Sequence, residues 1–207
     1  MGNVFVLLPV LLLAFAMGCA GEKIGNGNTE AGAGIADNSS FSFPQAPVDY
    51  TARYVINEGG SEAAKLVSAS GNRMRIQLDD GGGGYFSLFF LGKRAYSCAN
   101  PAGNASCFDI SGRANVKPED VLPCQHLEGS TPAEKVDIGG TAGNCHVLPY
   151  GVFDKRKICC TDRGVLAYDE YNMTNGKAHV EYLTDISYSV NEGDFLLPAT
   201  PKTAPEE

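Results

Sequence analysis

Apolar residues recur at every second position through much of the stretch from Val48 to Val190, and a period of two belongs to strands with one buried face. Val48, Tyr50, Ala52, Tyr54 and Ile56 fall on one side, with Asp49, Thr51, Arg53 and Asn57 on the other. After a Ser70-Gly71-Asn72 turn, Met74, Ile76 and Leu78 alternate with Arg73, Arg75 and Gln77. Val180, Tyr182, Thr184, Ile186, Tyr188 and Val190 alternate with His179, Glu181, Asp185, Ser187 and Ser189, which puts His179 and Glu181 on a polar face. The segment Tyr85–Leu91 is apolar on both sides and is expected to be a strand covered on both. Asn175-Gly176, between two strand-like runs, predicts a two-residue type I′ hairpin, because both central residues of that turn need positive φ. The fold class that follows is mainly β, with an antiparallel sheet.

Helix is scarce. Asn115-Val116-Lys117-Pro118-Glu119-Asp120 is a helix start, and Pro123 ends or bends the element within a few residues. One short helix or turn between Val116 and His126 is expected to divide an N-terminal set of strands from a C-terminal set.

The N-terminus carries an apolar run from Val4 to Ala16, about 13 residues against the roughly 20 needed to cross a bilayer, which reads as the hydrophobic part of a signal peptide. It closes on Ala16-Met17-Gly18-Cys19, a lipobox-like sequence that would make Cys19 the lipid attachment site and the mature N-terminus. The alternative is an ordinary secretory signal or an uncleaved anchor, since no Lys or Arg precedes the run. Gly25, Gly27, Gly32 and Gly34 among Asn, Ser and Ala make the following stretch a flexible tether. The expected plan is a lipoprotein signal peptide over 1–18, a lipidated Cys and linker over 19–47, a β-domain over 48–198, and a disordered Pro-rich tail over 199–207. Such a chain is exported and held on the extracytoplasmic side of a membrane. Its net charge of −8 removes the electrostatic basis for binding nucleic acid.

Seven cysteines are present, and with Cys19 assigned to lipid the remainder are Cys98, Cys107, Cys124, Cys145, Cys159 and Cys160. An even set in an exported chain favours disulfides. Cys98 with Cys107 is the most local pairing, across a turn at Asn100-Pro101-Ala102-Gly103-Asn104. Adjacent Cys159 and Cys160 point to opposite faces of a strand, so one can reach Cys145 and the other Cys124; the sequence leaves open which does which. The same residues, with His126 and His146, hold the ligand types of a metal site, but no C-x-x-C spacing supports one. No nucleophile elbow, zincin or phosphate-loop motif occurs, so no catalytic residue, metal or cofactor is assigned.

Several segments resemble the superfamily of outer-membrane lipoprotein-sorting proteins, the periplasmic lipoprotein carriers and their mycobacterial lipid-carrying relatives. Val48–Tyr54, Asn72–Ile76 and Leu91–Cys98 are similar to that family's early strands. Gly143–Val147, Ile158–Leu166 and Phe195–Pro198 are similar to its late hairpin, a turn and its closing motif. The resemblance implies an incomplete antiparallel half β-barrel round an apolar concavity with a short helical lid, carrying acyl chains or lipoproteins without catalysis. The chain departs from the family by its many cysteines, thin lid and tether. Tyr54, Ile56, Met74, Ile76, Phe86, Leu88 and Phe90 are the candidate cavity-lining residues. The expected function is a non-enzymatic, membrane-anchored lipid- or lipoprotein-binding protein. The alternatives are a structural or adhesive envelope domain, and an exported redox or metal protein.

Overall fold

A computed structural model describes residues 46–79, 81–112, 121–150, 153–173 and 175–204. The signal run, Cys19, the linker to position 45 and the first five residues of the expected Val116–His126 helix lie outside the described residues. Twelve strands follow one another in the chain: β1 (Tyr50–Glu58), β2 (Ser61–Ser70), β3 (Arg73–Asp79), β4 (Tyr85–Leu91), β5 (Arg94–Asn100), β6 (Ser106–Asp109), β7 (Thr131–Ile138), β8 (Thr141–Tyr150), β9 (Phe153–Cys160), β10 (Leu166–Asn172), β11 (Ala178–Ser187) and β12 (Pro201–Thr203). They form one open sheet in the order β12-β6-β5-β4-β3-β2-β1-β11-β10-β9-β8-β7. All neighbours are antiparallel except β12 and β6. The sheet is therefore mainly two meanders, β1–β6 and β7–β11, sewn together by the pairing of β1 with β11.

The alternation in β1 has its physical outcome in the buried side chains of Tyr50, Ala52, Tyr54 and Ile56, which line the inner face. Met74 in β3 and Phe90 in β4 join them, with Ala69, Val67, Leu183 and Leu122 completing the cluster. β4 is covered on both sides. Phe90 packs inward, while Phe89 packs outward with Tyr96 and the Cys98–Cys107 bridge. That outer cluster is roofed by the chain's last segment, where Leu197 and Ala199 lie against it and Phe195 takes the Arg73 guanidinium over its ring at 4.4 Å.

Three features depart from the sequence expectations. The tail from 199 is not wholly unstructured: β12 pairs Pro201, Lys202 and Thr203 with Cys107, Phe108 and Asp109. Its Pro-rich composition hid a strand that needs only an edge to pair with, because an edge strand has one side free of ladder bonds and tolerates Pro there. In β11 the phase is reversed: His179, Glu181 and Leu183 are the buried positions and Thr184 is exposed. The cause is a bulge. Tyr54 faces Leu183 while Arg53 faces Asp185, so Thr184 is the extra residue and the alternation changes phase there. The hairpin at Asn175-Gly176 turns differently as well. Gly176 N–H donates to Met173 O and Met173 N–H to Lys177 O, with Gly176 at φ 77°. That is a three-residue loop closed by one left-handed glycine.

The expected short helix is represented, among the described residues, by a 3-10 turn at Pro123–Gln125. β2 and β7 carry no clear alternation. Val67, Ser68 and Ala69 of β2 are buried in succession because the outer face is covered there too, Ser68 Oγ donating to Asp194 Oδ2 at 3.0 Å. β7 is an almost wholly exposed edge.

Candidate functional site

Ile76 of β3 and Arg156 of β9 stand five strand steps apart, about 24 Å on a flat sheet at roughly 4.8 Å per step. Both line a single cavity of about 50 Å³, so the sheet curls and its inner face is concave. The remaining wall is Tyr50, Tyr54, Lys65, Val67, Val121, Pro123, Leu166, Asp169 and Glu181. Space of that size holds a few water molecules and no acyl chain.

The concave face has two unlike halves. Across β3 and β4 it is apolar: Met74 faces Phe90, Ile76 faces Leu88 and Leu78 faces Phe86. Met74 and Phe90 are fully buried, whereas Ile76, Leu78, Phe86 and Leu88 keep part of their surface open. Ile76 and Leu88 pack on the main cluster. Of the seven candidate lining residues, Tyr54 and Ile76 line the cavity; Met74 and Phe90 are core; Ile56 is buried; Leu88 and Phe86 are partly open.

Across β9, β10, β11, β1 and β2 the same face is charged. Arg156 grips Asp169 with two hydrogen bonds, Nε to Oδ1 at 2.9 Å and Nη2 to Oδ2 at 2.6 Å, both residues being buried. Lys65 Nζ donates to Glu181 Oε1 at 2.6 Å. His179 Nδ1 lies 2.9 Å from Glu58 Oε1, and its Nε2 lies 3.9 Å from Glu181 Oε2. The imidazole stacks on Tyr171, ring centres 4.6 Å apart. Buried ions are tolerated when each has a partner, and here every cation faces a carboxylate.

The pairing is visible in the acidities. Burial works against the charge of Glu181, yet Lys65 and His179 hold its carboxyl below the usual range. Burial also works against a charged His179, but Glu181 and Glu58 outweigh it and push its pKa up to about 9. Burial, reinforced by the charge of Glu181, raises Tyr50 and Tyr54 well above an ordinary phenol, so both remain neutral hydroxyls. Tyr54 uses its own to donate to Leu166 O at 3.1 Å.

Alternation did not reveal this half, because it assigns charged residues to the solvent. The one hint was the spacing of His179 and Glu181, two polar residues at i and i+2 that must share a face.

The middle of the concavity is occupied by the chain itself. Leu122 is buried in the main cluster, Pro123 is buried, and Val121 and Pro123 close the cavity. A disulfide from Cys124 to Cys160 fastens this segment to β9. The other two bridges, Cys98–Cys107 and Cys145–Cys159, each join residues directly opposite on neighbouring strands. Among the described residues no group of three or more His, Cys, Asp or Glu is placed to hold a metal. His146 Nδ1 instead lies 3.0 Å from Ser130 Oγ. No helix of the described residues is long and apolar enough to cross a membrane.

The sequence matches no protein-family profile and no curated protein. Solved structures resemble this chain to different degrees. The crystal structure of MucB matches with a TM-score of 0.50 at 11% identity, over 73% of this chain and 58% of that one. The complex structure of Pseudomonas aeruginosa MucA/MucB gives 0.47 and 10%, over 72% of this chain and 55% of that one. A LolA-superfamily protein from Nitrosomonas europaea gives 0.36 and 11%, over 76% of this chain and 93% of that one. The chain thus spans little more than half the length of the MucB structures it matches, and at such identities the likeness is one of fold alone.

Proposed function

We propose that this chain is an exported, non-enzymatic binding protein, anchored to a membrane through a lipid on Cys19, whose concave face receives an acyl chain or a lipid-bearing segment of another protein. The observation that carries this reading is the open apolar half: Ile76 opposite Leu88 and Leu78 opposite Phe86, four large side chains with surface left uncovered on a curled sheet. A concave, mostly apolar face with a few polar groups beside it is the usual form of a small-molecule site. The carrier resemblance of the strand motifs supports the same reading, and three disulfides suit an oxidising compartment outside the cytoplasm. A second reading, a structural or adhesive envelope domain without a small ligand, is favoured by the seating of Leu122 in the concavity and by the small volume beside it.

Leu88→Glu separates the two. If the open half receives ligand, the variant stays folded, losing about 1–2 kcal/mol in urea unfolding because the carboxylate remains partly hydrated. It also no longer takes up a fluorescent fatty acid that the wild type binds. Failure of the wild type to bind the probe, together with global unfolding of Leu88→Glu, would reject ligand binding in favour of the structural domain.

A further inference from the structure

The three bridges are not equally placed. Cys98 and Cys107 are completely buried, as is Cys159, and Cys145 is 2% exposed. Of the six cysteines among the described residues, Cys124 alone is partly exposed, and its partner Cys160 is buried. The two inaccessible bridges lie within strand pairs already held by ladder hydrogen bonds. The accessible one holds something else. Its turn makes hydrogen bonds to itself, Gln125 N–H to Leu122 O and His126 N–H to Pro123 O, and the ladder of the sheet does not extend to it. Val121, Leu122 and Pro123 pack on the concave face, and the Cys124–Cys160 bond ties their turn to β9.

We propose that Cys124–Cys160 is a thiol-exchange site, and that its opening by a dithiol reductant releases residues 121–125 from the concave face. A thiolate of the reductant attacks the Sγ of Cys124, the less buried residue of the pair, and the S–S bond to Cys160 breaks. Cys160 leaves as a thiolate and takes a proton from solvent. The second thiol of the reductant then attacks the reductant's sulfur in the mixed disulfide. This frees Cys124 as a thiol and closes the reductant's own disulfide. Two electrons and two protons pass from the dithiol to the protein. Leu122 and Pro123 then lose their covalent tie to β9, and their departure uncovers the face beneath.

The test uses the full exported chain, briefly exposed to dithiothreitol, quenched by alkylation and mapped by mass spectrometry. Cys124 and Cys160 should label together, about tenfold faster than the other four, since exchange depends on access to a sulfur. The partly reduced protein should keep its far-UV circular dichroism and bind more of an apolar-surface dye. A Cys124→Ser, Cys160→Ser variant should bind the dye as strongly without reductant. Simultaneous reduction of all three bridges, or earlier reduction of another, overturns the proposal. So does an unchanged dye signal in selectively reduced protein that remains folded, and so does global unfolding on selective reduction, which would make the bridge a structural staple. The dye reports uncovered apolar surface whether or not a lipid is the natural ligand, so this result stands apart from the fatty-acid test.

Discussion

At the imidazole of His179, burial and charge compete. Burial lowers its proton affinity, and Glu181 and Glu58 more than reverse that, raising the pKa to about 9 from an ordinary 6.5. A group whose affinity for protons rises on folding stabilises the fold fully below the unfolded pKa, and that contribution disappears as pH climbs through the folded one. Stability should therefore decline between about pH 6.5 and pH 9, by at most about 3 kcal/mol on the conversion of that gap. Glu181 acts in the opposite sense: held below its ordinary 4.5, it stabilises above that value and loses its effect in acid. Glu58, Asp169 and Tyr171 also face or act on the imidazole, and Lys65 and Arg156 are paired with Glu181 and Asp169 on the same inner side. Urea unfolding of His179→Gln at pH 6, 8 and 9.5 should show a shallower alkaline decline than the wild type. An identical slope would mean that His179 is neutral in the folded protein.

At the scale of the element, β1, β3 and β4 were legible in the sequence because their side chains meet one core on one side or two cores on both, and hydrophobicity records that directly. β11 was legible as a strand but not in its facing, since a single extra residue at Thr184 reverses the phase. The charged half of the face was hidden for a different reason: Arg156 pairs with Asp169 and Lys65 with Glu181 inside, and composition alone reads such residues as solvated. β7 and β12 left no pattern because neither buries a face. β12 still has a measurable role. Truncation after Pro198 removes its pairing with β6 and the contact of Ala199 with the outer cluster. We expect a loss of about 1 kcal/mol in thermal unfolding, with faster amide exchange confined to β6 and the adjoining part of β5. Unchanged exchange at β6 would show that β12 does not pair in solution.

For the molecule as a whole, the proposed attachment to a membrane would depend on one side chain, that of Cys19. In that proposal the apolar leader is removed and a lipid on Cys19 supplies the anchor. A Cys19→Ser protein should leave the membrane fraction and become soluble, or be retained as precursor. Recovery of the correctly cleaved variant in the membrane fraction would exclude a lipid anchor.

The order of strands carries a consequence for how such a chain is made. The centre of the sheet joins β1, among the first residues of the domain, to β11, among the last, and the far edge is finished by β12. Half of the partners of β1 are thus absent until nearly the whole polypeptide has been synthesised. Contacts so distant in sequence form slowly, because the loop between them must close before they contribute stability. A partly synthesised chain cannot complete its sheet, and if the chain is exported as proposed, this delay would keep it unfolded and able to be threaded across a membrane. The last dozen residues then do more than decorate the outer face. Their arrival marks the moment at which the protein can become a finished object.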